Sequence, residues 1–476
     1  MAYLNVFINN SNKNPINVNR DTKPVPPGPG IDKWVKEHMV FWYDMSKPVD
    51  TYAENFNDWT KFAGTKCTVT NKSVNITSFN AMDSASIYIA TSKKFNGITI
   101  TVDGLLDGQE IAWGYDSNSL VRMPKNGTYT LEPIDSVTGN ISFRSINIVG
   151  ACNITITQLP SGQSVPTNEI LKTNPYLQDH SGNNRPLKLN NFLFAAMSGV
   201  GGYDISSTNI LPDRANVTVT DNRIIHITKK LSTTDNMVNI VPANSNPTHK
   251  FKVTGLSDGR QVSLVNRNGG FYTFDNGEHE VTLTYPEGTT SLYNAIGVTG
   301  DIGDMDVTIE FLPKYPNALV TDGADDYGVV ENLQQGMKVL FYTCNNFRLS
   351  QMLYDQRKIG YDNIQSSYFS IFAGANTIAY NARNVDGITY IDGELNESII
   401  VDDLLKKKTI ITIVNNSVDS EKTGRPSFFS THNNLGYFAN LAFYNSIGFD
   451  SVPTKETDGF TEQELIDYVL ENLITQ

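Results

Sequence analysis

Cysteine is scarce in this chain of 476 residues: only Cys67, Cys152 and Cys344 occur, far apart from one another. So few, so scattered, they support neither a disulfide framework nor zinc-ligand spacing. They are expected as small buried hydrophobes. Charge is also scarce, at 18% of residues, against about 25% in an average soluble protein. Acidic residues outnumber basic ones by 50 to 37, giving a formal net charge of −13. No basic block stands out beyond Lys406-Lys407-Lys408, which argues against nucleic acid and anionic membrane as partners. No apolar run reaches the ~18 residues of a membrane-spanning helix, so no membrane insertion is expected. The opening Met1-Ala2-Tyr3-Leu4-Asn5-Val6 has neither the basic nor the apolar region of a secretion signal, so the chain is expected to be made in the cytoplasm without one.

Chemical signatures are missing in the same way. The six histidines, His38, His180, His226, His249, His279 and His432, show no H-x-x-x-H or H-E-x-x-H spacing. The one G-x-S-x-G string, Gly255-Leu256-Ser257-Asp258-Gly259, is a repeat turn whose other copy has Leu106 in place of the serine, and there is no phosphate-binding G-x-x-x-x-G-K-[ST] loop. No catalytic, cofactor-binding or metal-ligating residue is therefore assigned, no cofactor is expected, and the chain is not read as an enzyme.

Amides and repeats are what the sequence does contain. Its 51 asparagines make the polar surface amide-rich rather than ionic. Residues 11–33 are rich in Asn, Pro and Gly, with Pro24, Pro26, Pro27 and Pro29 interleaved by Gly28 and Gly30, and are expected to form an extended arm rather than helix. Further on, Gly104, Leu105, Asp107 and Gly108 recur as Gly255, Leu256, Asp258 and Gly259. Thr68-Val69-Thr70 recurs as Thr218-Val219-Thr220, and Asn126-Gly127 as Asn276-Gly277. The run from Asn153 to Pro160 recurs from Asp306 to Pro313. Each copy consists of short alternating segments, such as Ile98-Thr99-Ile100-Thr101-Val102 and Val281-Thr282-Leu283-Thr284, bounded by Asn-Gly and Asp-Gly turns. That pattern predicts two similar antiparallel β-sandwich modules.

The sequence around the copies differs in character. It holds Val40-Phe41-Trp42-Tyr43-Asp44, then Asp179-His180-Ser181-Gly182-Asn183, then Met197-Ser198-Gly199-Val200, then Ala318-Leu319 and Asp322-Gly323-Ala324-Asp325-Asp326-Tyr327. This ordered set resembles the laminin-G/concanavalin A-like lectin superfamily, which implies a jelly-roll sandwich. The expected fold is therefore mainly β: a discontinuous jelly roll of 34–52, 170–212 and 314–456, with two small sandwiches, 53–169 and 213–313, inserted into its early loops. An arm of 1–33 precedes it and a C-terminal segment of 457–476 follows. There Thr461-Glu462-Gln463-Glu464 has the form of a capping box, and Leu465, Ile466, Val469, Leu470 and Leu473 share one helical face.

The lectin-like fold also hosts glycoside hydrolases, whose paired carboxylates sit on one strand. Glu278-His279-Glu280 lies instead in a repeat hairpin, where the other copy has Thr128-Tyr129-Thr130, and is read as exposed surface. Asp322, Asp325 and Asp326 have the ligand chemistry for calcium, yet the same residues close Asx-turns around Gly323, and the turn is the expected role. Trp113-Gly114-Tyr115 is weighed as a sugar-stacking platform and assigned to core or interface.

Lectin-like domains bearing inserted sandwich modules, an Asn-rich surface and a Pro-rich arm resemble structural proteins of crAss-like and other phages of Bacteroidales. The resemblance implies a virion protein on the particle surface, a head fibre or capsid decoration. It would self-associate as a homodimer or homotrimer, dock on a capsid or fibre protein through its arm, and adhere weakly to surface glycans. A tail fibre or receptor-binding protein and a secreted bacterial carbohydrate-binding protein are the alternatives.

Overall fold

The computed structural model describes residues 30–61, 66–79, 85–89, 94–114, 120–134, 140–243, 247–266, 270–285, 294–330, 333, 336–345, 351–357, 370–373, 378–380, 387–395, 407–415, 423–430 and 438–474. Arm residues 1–29 lie outside this set, as do Tyr115, Lys406 and His432. The described chain is mainly β, folded into antiparallel sheets around three separate sandwich cores.

One core lies between an eight-stranded and a seven-stranded sheet assembled from discontinuous segments. In the larger sheet, Ala442–Phe449 pairs with Leu319–Val320, Val339–Asn345 and the edge strand Met39–Asp44. The smaller sheet runs through Leu187–Asn190, Tyr327–Val330, Thr423–Phe428 and Gln351–Arg357. Strand Val339–Asn345 shows how the sequence reaches this place. Its apolar run is nearly continuous because both of its faces are covered. Leu340, Tyr342 and Cys344 face the second sheet. Val339 and Phe341 face a helical layer built from Ile31, Trp34 and Val35 on one side and Leu465, Ile466 and Val469 on the other.

That helical layer contains a departure from expectation. Residues Ile31–His38 form a helix that begins inside the segment read as extended arm. The proline-rich stretch ends at Pro29, and the eight residues after Gly30 place Ile31, Trp34 and Val35 on one buried face. Trp34 packs 5.7 Å from both Phe449 and Phe460, ring to ring, and Tyr468 donates its hydroxyl to Asp32 at 2.5 Å. The C-terminal helix Glu462–Asn472 starts with the capping box: the Glu464 amide donates to Thr461 Oγ1, and the Thr461 amide to Glu464 Oε2. Short helices Asn168–Thr173 and Lys455–Asp458 are further elements that the periodicity did not predict.

The repeats form two ten-stranded sandwiches with identical strand order. In the first, one sheet runs Lys66–Val69, Ser73–Phe79, Gly150–Gln158, Ile98–Asp103, Gly127–Leu131, and the other Thr60–Lys61, Ala85–Ile89, Ile141–Ile146, Glu110–Gly114, Val121–Met123. In the second, the corresponding orders are Ala215–Thr220, Ile224–Lys230, Gly303–Phe311, Thr248–Thr254, Gly277–Thr282 and Ile205–Ile210, Val238–Pro242, Asn294–Val298, Val262–Asn266, Phe271–Phe274. Alternate residues such as Ile100, Val102, Ile154 and Ile156, matched by Phe251, Val253, Val307 and Ile309, are fully buried. Each contributes roughly 1.5–3 kcal/mol by leaving water.

The Asn-Gly and Asp-Gly sites do not close hairpins within one sheet. Asp107-Gly108 and Asp258-Gly259 connect a strand of one sheet to a strand of the other, and so do Asn126-Gly127 and Asn276-Gly277. They are the corners of the sandwich. Asn126 Oδ1 accepts from the Leu105 amide while its Nδ2 donates to the Leu105 carbonyl, clamping one corner to another. Asn276 does the same to Leu256.

Each module's incoming and outgoing segments are tied together at its base. Val49–Thr51 pairs with Gly162–Ser164 below the first. Below the second, the Lys314 and Tyr315 amides donate to the carbonyls of Gly202 and Gly201.

Candidate functional site

The motifs that carry the lectin-like resemblance meet in space as two clasps. Asp179 Oδ1 accepts from the amides of Trp42 and Ser181, and its Oδ2 from that of Arg185. Asn183 Nδ2 donates to the carbonyls of Met39 and Val40. The D-x-S-G-N turn therefore completes the hydrogen bonding of an edge strand that would otherwise present unpaired backbone. The second clasp joins Ser198 to the acidic turn: Ser198 Oγ donates to Asp326 Oδ1 at 3.0 Å, and the Asp322 amide to Asp326 Oδ2 at 2.9 Å.

The three carboxylates Asp322, Asp325 and Asp326 lie within 4.8 Å of one another. Asp326 is buried, and burial pushes its carboxyl up to about 7, against the hydrogen bonds from Asp322 and Ser198. Asp322 Oδ1 accepts from the Ala324 amide two residues on. Each of these bonds holds the turn around Gly323, whose φ is +77°.

On the outer side of the edge strand, Trp42 Nε1, Asp44 Oδ2 and His180 Nε2 are buried without a protein hydrogen-bond partner among the described residues. The Trp42 and His180 rings stand 6.1 Å apart, and Lys47 Nζ lies 4.4 Å above the Trp42 ring. Burial, with Lys47 adding to it, lowers the His180 pKa, so the ring is neutral at pH 7.

The other residues singled out from sequence do not assemble into a site. Trp113 is only 2% exposed, stacked on Trp59 and packed against Phe95 and Phe143 in the core of the first module. It holds no sugar. Glu278 and Glu280 are exposed on strand Gly277–Thr282. Cys344 is buried, whereas Cys67 and Cys152 are half-buried, and burial raises the pKa of all three thiols.

What sequence reasoning missed is a cavity of about 310 Å³ at the base of the second module. It is lined by residues 202–205, 248–250 and 311–314 together with Glu280 and Pro316. The Asp204 side chain is fully buried, accepts from the Thr248 amide at 3.0 Å and lies 3.5 Å from Lys314 Nζ. His249 forms part of the wall, and burial pushes its ring down to about 4 against the pull of Asp204. Asp204 and His249 lie far apart in sequence and in no motif, so no pattern announced them.

Compared with known proteins, the chain matches no family model and no curated protein.

Proposed function

We propose that this chain is a structural virion protein of a bacteriophage: a head fibre or capsid decoration that projects sandwich modules from the particle and adheres weakly to glycans. The observation that carries this reading is the duplicated module. Two ten-stranded sandwiches of identical strand order depart from one discontinuous sandwich, and each is tied back at its own base. Such a body multiplies outward surface without altering its platform. The resemblance of the platform motifs and of the Pro-rich arm to phage structural proteins supplies the setting. Many projecting copies turn individually weak sites into firm adhesion through effective concentration.

In this reading the arm docks on a capsid or fibre protein, and the chain works as a homodimer or homotrimer. Deleting residues 1–29 is expected to leave a folded protein that no longer associates with particles. A truncated chain that still co-purifies with particles at wild-type stoichiometry would contradict the anchoring role.

A further inference from the structure

We infer that the cavity at the base of the second module is a saccharide site for one neutral pyranose unit, created by divergence between the two copies. The inference deepens the glycan-adhesion part of the proposed function and rests on that reading for its biological setting.

Strand pairing establishes which positions correspond. Thr99 faces Thr130 across one strand pair, and Lys250 faces Glu280 across its counterpart. Ile98 therefore corresponds to His249, and Gln158 to Phe311. In the first copy this corner is closed from within. Gln158 Oε1 accepts from the Glu54 amide, and its Nε2 donates to the Glu54 carbonyl. Glu54 Oε1 accepts from the Asn96 amide, and Ile98 is buried beside them.

In the second copy Asp204 keeps the role of Glu54, holding the Thr248 amide. Phe311 cannot bridge as Gln158 does, and the corner is open. Three neighbouring positions differ at the same place: apolar Ile98 gives way to His249, and the neutral Thr99 and Thr130 to the charged Lys250 and Glu280.

The donor and acceptor pattern of this corner can be read off its hydrogen bonds. Tyr285 donates its hydroxyl to Asn294 Oδ1, so Asn294 presents its Nδ2 to His249 Nε2, 3.3 Å away. Nε2 is thereby the acceptor, and Nδ1 carries the proton of the neutral ring. His249 is 2% exposed, and its Nδ1–H has no protein partner among the described residues. Lys314 and Lys250 add donors, Glu280 an acceptor, and Phe311, Leu312, Pro313 and Pro316 an apolar wall.

Two lysines against two carboxylates leave no net charge to favour an ionic ligand. A group that both donates and accepts at several points on an apolar ring matches this lining, and a sugar's hydroxyls do so. The volume sits at the lower end of the ~300–1,000 Å³ range of small-molecule sites, a size for one ring rather than a chain.

Isothermal titration calorimetry on the full chain tests this, using free neutral hexoses and N-acetylhexosamines with hexuronic acids alongside. At least one neutral sugar is expected to bind with a Kd on the order of 1 mM. Glu280→Ala and Lys250→Ala, both surface truncations, are each expected to weaken it roughly tenfold. Phe311→Gln, which restores the closure of the first copy, is expected to abolish it. Because Phe311→Gln alters the core, the two surface variants decide the matter if it fails to fold. The inference is overturned if no neutral sugar binds, if hexuronic acids bind more tightly, or if both surface variants bind as wild type does. Particle association plays no part in this titration, so a negative result leaves the virion reading standing, and loss of that reading leaves the pocket standing.

Discussion

Gly104 and Gly255 show at single-residue scale why the repeat keeps its glycines. Their φ values are +90° and +87°, and a Cβ placed on them would stand 1.9 and 1.8 Å from the carbonyl oxygens of Asn153 and Asp306. Both backbone freedom and the missing side chain are required, so Gly104→Ala or Gly255→Ala is expected to destabilise its module by roughly 2 kcal/mol or more. Gly108 and Gly259 also have positive φ, but open space surrounds them, and alanine there should cost only about 1–2 kcal/mol. Urea denaturation of the four variants checks the order; equal losses at all four would contradict the backbone clash. Asp326 makes a second test at this scale. Its folded carboxyl holds a proton up to about pH 7, against 3.8 for a free one. The native state therefore binds more protons than the unfolded state in that window, and this contribution to stability is lost as pH rises through it. Asp326→Asn removes the loss, so the variant should gain stability relative to wild type from about pH 4 to 7. Parallel stability curves would show that the carboxyl is not held protonated.

At the scale of elements, local signals were legible and tertiary ones were not. The C-terminal helix could be read because Thr461 and Glu464 are three residues apart and satisfy each other's amides, as a capping box must. Thr461→Ala is expected to lower stability by about 1 kcal/mol in chemical denaturation, whereas Thr461→Ser should leave it nearly unchanged. Loss of the same size in both would point away from capping. The helix Ile31–His38 escaped notice because two turns give little periodicity, and what buries Trp34 is Phe449 and Phe460, more than 400 positions further along. Alternation revealed the module strands, but membership of one sheet or the other depends on long-range pairing. The Asn-Gly sites therefore read as turns without revealing themselves as corners. The same limit hid the pocket: Asp204, His249 and Glu280 are brought together only by the strand pairing and the base of the module.

For the whole molecule, the repeat was the most informative feature of the sequence, because register shared over two copies implies shared topology, and both sandwiches have the same strand order. Divergence between the copies is informative in the opposite sense. Trp113 fills the first core where Leu264 fills the second, a change invisible from outside, whereas Ile98 and His249 differ where a cavity opens. The proposed virion role makes a definite demand: the chain should be present on the particle in many copies, with its duplicated modules facing outward. Mass spectrometry of purified phage particles from a gut-type host, combined with imaging of where this chain sits, addresses the proposed virion role most directly. The account predicts many copies distributed over the capsid surface; absence of the chain from the particles would contradict it.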